Sequence, residues 1–127
     1  MLNTEEALKA YARMMNTYSV SDIEPLLAND FHYVSQWVFN EITSKQEYLD
    51  YITPKLLTVK NSNNPVFAEM AWLGFVGDNP CVLIAQGKKD NLVATVLVEV
   101  KNNLIQRIDM CCVLTPESAI RTGVYPA

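Results

Sequence analysis

The chain predicts an α+β fold in which helices lie on one face of a curved, mainly antiparallel sheet. Three observations predict it. Helical spacing of apolar residues fills the N-terminal half, residues from 66 onward change to strand composition, and loops of turn-forming residues separate the strands. At 127 residues the chain reads as one domain, 1–127, with a single core. Half of it is hydrophobic and 19% is charged, which suits a globular protein rather than a disordered one.

The first helix is expected over Thr4–Thr17. Asn3 and Thr4 are competent caps, Glu5 and Glu6 suit the positive end of the helix dipole, and Leu8, Tyr11, Ala12 and Met15 share one face. A second, short helix is expected from the capping box Ser21-Asp22-Ile23-Glu24, with Val20 before it and Pro25 in its first turn, ending near Ala28 and Asn29. The aromatic run 31–38, FHYVSQWV, is expected as an early strand at the sheet edge. A third helix opens at Ser44-Lys45-Gln46-Glu47, runs through Tyr48, Leu49 and Ile52, is kinked or broken by Pro54, and resumes at Leu56, Leu57 and Val59.

Asn61-Ser62-Asn63-Asn64-Pro65 is a loop. Strands are then expected over 66–75, 81–86, 92–100 and 104–113. The turns between them are Gly77-Asp78-Asn79-Pro80, Gly87-Lys88-Lys89-Asp90-Asn91 and the three-residue loop Lys101-Asn102-Asn103. The tail, TPESAIRTGVYPA, is expected to close over the sheet as a short helix from Glu117 and an extended end.

Charge and cysteines exclude several function classes. The net charge is −4 and the densest basic cluster is Lys88-Lys89, so a nucleic-acid surface is not expected. No apolar run is long enough to span a membrane, and the N-terminus lacks the pattern of a signal peptide. Cys81, Cys111 and Cys112 form neither a disulfide framework nor, with the lone His32, a metal site; they read as small core residues. Neither a metal nor a cofactor is expected, and the setting expected is cytoplasmic.

The order of elements, with AYARMMN at 10–16, LLANDF at 26–31 and LIQRIDM at 104–110, resembles the nuclear transport factor 2-like superfamily. That group includes ketosteroid isomerases, scytalone dehydratase and the SnoaL-like polyketide cyclases. The resemblance covers residues 6 to about 113 and rests on order and spacing rather than on one motif. It implies a cystatin-like cone of three N-terminal helices on a curved sheet enclosing a pocket, often as a dimer. Tyr11 and Asn16 match the isomerases' tyrosine and the asparagine-like helix end after it. The position of the isomerase base is Ser35, which cannot act as a carboxylate near neutral pH. The position of the protonated aspartate is Leu97, so isomerase activity of that type is rejected. Arg107 and Asp109 occupy the spacing of the cyclases' imidazole and acid, matching only the acid.

Alternation places Tyr33, Ser35 and Trp37 on one face of the early strand and His32, Val34 and Gln36 on the other. The isomerase alignment turns the first set inward, where Tyr33 and Trp37 line the pocket or simply fill the cone; His32 faces away and is a surface or interface residue. On the sheet, one face carries Thr95, Leu97, Glu99, Ile105, Arg107, Asp109 and Cys111. The other carries Ala94, Val96, Val98, Val100, Leu104, Ile108, Met110 and Cys112. Hydrophobicity alone sends the second set to the core; the resemblance sends the charged set into the cone. Both hold if the chain forms a homodimer through the apolar sheet face of Val96, Val98, Ile108 and Met110.

In that arrangement Tyr11, Tyr33, Trp37 and Asp109 converge, with Ser35, Leu97, Glu99 and Cys111 beside them as ligand-binding residues. Asp109, positioned by Arg107 and assisted by Tyr11, is the candidate acid or base for a small apolar or aromatic ligand. Three function classes stay open: a cofactor-independent isomerase, dehydratase or cyclase, a non-catalytic ligand-binding pocket, and a dimeric protein-interaction module, adaptor or toxin-neutralising.

Overall fold

A computed structural model describes residues 1–36, 40–73, 79–111 and 119–127. Helix α1 spans Thr4–Thr17, capped by the Asn3 side chain, which accepts from the Glu6 backbone N–H at 2.8 Å. Its apolar face, with Leu8, Tyr11, Ala12 and Met15 buried, is the one the spacing predicts. The expected second helix is a correction. Only a three-residue 3-10 turn forms, Glu24–Leu26, and strand β1 (Leu27–Ser35) starts at once. The competing demand is tertiary: Leu27 is already in register with Ile105 of the sheet, and a helix this short has little stability of its own. Among the described residues the α-helices are therefore two, not three, and the second follows β1, as the Ser44 cap predicts.

Helix α2 (Lys45–Lys60) is capped by Ser44, as its sequence predicts, and continues through Pro54 without a break. Pro54 is exposed, so the carbonyl that loses its partner there can be hydrated. Strands β2 (Val66–Leu73), β3 (Pro80–Gln86), β4 (Leu92–Lys101) and β5 (Leu104–Cys111) form the antiparallel meander, and β6 (Ala119–Val124) pairs with β2. The sheet order is β1-β5-β4-β3-β2-β6, with β1 parallel to β5. The tail thus forms an extended edge strand. Its expected start at Glu117 lies outside the described residues, as do the strand ends at 74–75 and 112–113.

The β4–β5 turn is tighter than the expected three-residue loop. Asn102 and Asn103 both have positive φ, 53° and 66°, and Lys101 pairs with Leu104. That is a two-residue hairpin of the primed type, for which asparagine is suited. The register slips once, between the Glu99–Arg107 and Val100–Ile105 pairs. A bulge there lets Ile105 and Ile108 both join the core cluster, although simple alternation groups Ile105 with Arg107.

The core lies between the helices and one face of the sheet. Because β1 and β2 stand far apart in the sheet, α2 must pass across that face to join them. Ala94, Val96, Ile108 and Met110 are buried there with α1, and Phe31 and Tyr33 of β1 with Tyr48 of α2. The Phe31 and Tyr48 rings meet edge-on at 5.0 Å. Hydrophobicity therefore decides which face is inside. Val96 and Ile108 are inaccessible within one chain, so the apolar face expected to join two subunits is occupied by the chain's own helices.

Asn16 ties the layers together. Its side chain accepts from the Ala68 N–H at 2.7 Å and donates to the carbonyls of Ala68 and Pro126 at 2.9 and 2.7 Å. It does for β2 what a neighbouring strand does elsewhere, beyond the reach of β6.

Candidate functional site

The inward side of α2 carries Tyr48, Tyr51, Ile52, Lys55, Leu56 and Val59 at helical spacing. Its first turns pack on β1; its later turns stand off the sheet and leave a cavity of about 340 Å³. Met15 and Tyr18 close it from α1, Ile52, Lys55 and Leu56 from α2, and Ile84, Gln86 and Met110 from the sheet. The lining is largely apolar and includes two methionines, whose flexible thioethers adapt to varied shapes. Tyr18 holds a left-handed backbone (φ 58°, ψ 35°) at the end of α1, a position usually given to glycine. The cost is about 1 kcal/mol, and the result is an aromatic ring in the cavity wall.

A group of phenols lies behind this wall. The Tyr33 hydroxyl is 3.9 Å from the Met110 sulfur, and its ring lies 5.7 Å from that of Tyr51, centre to centre. Lys55 Nζ donates to the Tyr51 hydroxyl at 2.8 Å, carrying the chain of polar groups to the cavity wall. The Tyr48 hydroxyl is fully buried and has no hydrogen-bond partner among the described residues. Burial pushes the hydroxyls of Tyr11, Tyr33 and Tyr48 well above the ordinary phenol range, and the neighbouring tyrosines add to it. They are neutral near pH 7 and able to donate hydrogen bonds. Among the described residues lining the cavity there is no carboxylate.

Tyr33 and Ser35 lie on the inner face, as alternation predicts, and Tyr11 is buried in the same core. Trp37 lies outside the described residues. Asp109 and Arg107 do not join Tyr11 and Tyr33, which corrects the expected convergence. Asp109 sits between Ile108 and Met110, both in the core, so its side chain emerges on the opposite face. There Arg107 Nε donates to Asp109 Oδ2 at 3.0 Å and Nη1 to Glu41 Oε1 at 3.4 Å. His32 Nδ1 lies 2.8 Å from the same Glu41 oxygen. The hydrogen bond from Arg107 to Asp109 holds the guanidinium above its ordinary range, opposed by slight desolvation. With side chains 39% and 30% exposed, this is a surface ion pair.

Glu99 pairs across the strands with Arg107, and Leu97 with Asp109, so both belong to that outer face; Cys111, opposite Thr95, belongs with them. Leu97 packs with Ala71, Leu73, Cys81 and Leu83 in a second apolar cluster. Burial pushes the Cys81 thiol up to about 11, which leaves it an unreactive core residue.

Reasoning from the sequence passed over Tyr18, Tyr51, Lys55 and Gln86. The signal for two of them was present: Tyr51 and Lys55 share the face of Tyr48 and Ile52 at steps of three and four. Among the described residues no group of three or more His, Cys, Asp or Glu side chains is placed to hold a metal. No helix is long and apolar enough to cross a membrane.

No family model and no curated sequence matches the chain, so likeness to known proteins rests on structure. A nuclear transport factor 2-like protein of unknown function from Cytophaga hutchinsonii superposes with a TM-score of 0.60 at 11% identity, covering 87% of this chain and 90% of that one. A domain with a cystatin-like fold from Nostoc punctiforme gives 0.59 at 15% identity, covering 90% and 80%. A protein with a ketosteroid isomerase-like fold from Catenulispora acidiphila, solved with trimethylamine, gives 0.53 at 16% identity, covering 86% of each chain. Identities this low speak to architecture and not to activity. The chain has the fold of the nuclear transport factor 2-like, or cystatin-like, proteins.

Proposed function

We propose that this protein binds a small, mainly apolar molecule in the cavity between α1, α2 and the inner face of the sheet. The observation that carries the reading is the cavity itself: about 340 Å³, walled by Ile52, Leu56, Ile84 and Met110, with a few polar groups at its edge. Small-molecule sites have that volume and that balance. Sealed cores close such spaces, because an unfilled cavity loses packing contacts.

Binding without turnover fits better than catalysis. The carboxylate proposed as acid or base, Asp109, is turned to the other face, and the buried phenols are too weakly acidic to ionise near neutral pH. The isomerase, dehydratase or cyclase reading keeps one support, the hydroxyls of Tyr33, Tyr51 and Ser35, which could polarise a carbonyl. A homodimer through the sheet would have to use the outer face around Leu97 and Glu99. Sedimentation at micromolar concentration decides that point, and a single species of monomer mass would end it.

The binding reading is tested with the neutral, environment-sensitive dye Nile red. The wild type is expected to enhance its fluorescence saturably. Val93→Phe, which adds bulk to the cavity wall, should weaken binding by tenfold or more without loss of thermal stability. Equal binding by a folded Val93→Phe protein would show that the dye, and the function assigned, lie elsewhere.

A further inference from the structure

We infer that the cavity selects apolar monocarboxylates, with the ligand carboxylate held at Lys55; the inference rests on the cavity being the binding site. Among the described residues Lys55 is the one charged side chain in the lining. Its Nζ donates to the Tyr51 hydroxyl at 2.8 Å and stands 5.2 Å from the centre of that ring. The phenol thereby fixes the ammonium on the cavity side of α2 while leaving its charge uncompensated.

The position of this charge at the cavity gives it weight, more than the lack of an acidic partner, which other lysines share. Lys9 pairs with Glu5, Arg13 with Asp22, Arg107 with Asp109 and Glu41, and Arg121 with Glu69 and Asp90, whereas Lys45, Lys60, Lys88, Lys89 and Lys101 make no salt bridge among the described residues. Among the described residues no carboxylate lies within ion-pair distance of Lys55. Its own helix supplies none either: the positions three and four residues away are Ile52, Tyr51, Thr58 and Val59. What sets Lys55 apart from the other lysines without an acidic partner is its place in the lining of the cavity.

Ligand chemistry follows from the lining. An ammonium has three donors, and Tyr51 takes one. Among the described residues the side-chain amide of Gln86, in the same lining, has no hydrogen-bond partner and can serve a second oxygen. One positive charge at the edge of an apolar chamber matches a monoanion on an apolar body. A phosphate dianion would bring more charge and more acceptors than one ammonium and one amide can satisfy. A quaternary or primary amine would meet like charge.

The test titrates octanoate, 1-octanol and octylammonium into the wild type and Lys55→Met, an exposed position whose replacement keeps the apolar stem. Wild type is expected to prefer octanoate to 1-octanol by at least about tenfold, a preference that shrinks in high salt, and to bind octylammonium most weakly. Lys55→Met should bring octanoate to the level of 1-octanol while its affinity for 1-octanol changes by less than about threefold. Extending the acid from hexanoate to octanoate should tighten wild-type binding by about fourfold per methylene. If wild type binds 1-octanol as well as octanoate, or if the preference survives in Lys55→Met, the carboxylate assignment is overturned while the cavity remains the binding site. If neither ligand binds, the cavity reading falls together with it.

Discussion

On the helix side of β4 and β5, Val96, Ile108 and Met110 are buried beneath α1 and α2; on the other side Glu99, Arg107 and Asp109 stand partly in water. The residues alternate along the same strands and pair across the same ladder, so backbone geometry does not distinguish them. What differs is the cover. Apolar side chains on the inner face gain stability by leaving water, and the shape of α2 leaves one gap among them. The partly exposed charges around Arg107 are satisfied laterally by one another and by solvent, at little net gain, whereas Glu69, farther along the same face, is buried against Arg121. Stability should therefore respond to the inner face and ligand binding to its gap, with the exposed Arg107–Asp109 pair bearing on neither.

The largest expected effect follows from placing a charge on the inner face. Ile108→Lys puts an ammonium at a site with no exposure, amid apolar neighbours and with no carboxylate to meet it. A loss of about 4 kcal/mol or more is expected, against total stabilities of about 5–15 kcal/mol for domains. Circular dichroism should show an unfolded or barely folded protein at 25 °C. A well-folded Ile108→Lys chain would mean that this face is free after all, and would return it to candidacy as a surface between subunits.

A second effect is specific to the phenols of the inner face. Tyr11, Tyr33 and Tyr48 have folded-state pKa values raised above the usual 10 by burial. Below pH 10 each is protonated whether the chain is folded or not, and titration changes nothing. Above it the unfolded chain releases these protons and the folded chain retains them, so stability falls as pH rises. Each tyrosine contributes a slope of about 1.4 kcal/mol per pH unit in that window, or about 4 kcal/mol for the set. Urea midpoints measured between pH 9 and 11.5 should drop steeply beyond 10, and less steeply in Tyr11→Phe. A flat profile would place these hydroxyls in water and break the contrast between the faces.

How much of this was legible in the chain depends on the range of the interaction concerned. Helix α1, its Asn3 cap, the start of α2 at Ser44 and the meander were readable, because capping and alternation are local. The segment 21–28 was misread because its capping box competes with strand pairing to Ile105, a partner nearly eighty residues away. Face assignment on β5 failed at Ile105 because one bulge shifts the phase, and nothing local to Gln106 announces it. The two readings of the sheet were each self-consistent, and apolar burial decided between them where family resemblance pointed the other way. The resemblance implied a pocket, but its walls were not legible. Its wall joins the end of α1, the second half of α2 and parts of every central strand, and its volume depends on how far α2 stands off the sheet.

The smallest expected effect concerns Asp109, the residue that sequence resemblance placed at the centre of the chemistry. Asp109→Asn keeps the shape of the side chain and removes its charge. Arg107 then retains Glu41, 3.4 Å away, and solvent supplies what else the guanidinium needs. An exposed pair of this kind is worth about 0–1 kcal/mol, so the melting temperature should move by no more than a few degrees. Raising the salt concentration should shrink even that difference, because ions screen an exposed pair and barely touch a buried one. Binding in the cavity should be unchanged, since Asp109 emerges on the far side of the strand whose Met110 lines it. Loss of ligand binding in a stable Asp109→Asn protein would couple the two faces and contradict the separation drawn between them. Unchanged stability and binding would confine the function to the residues under α2.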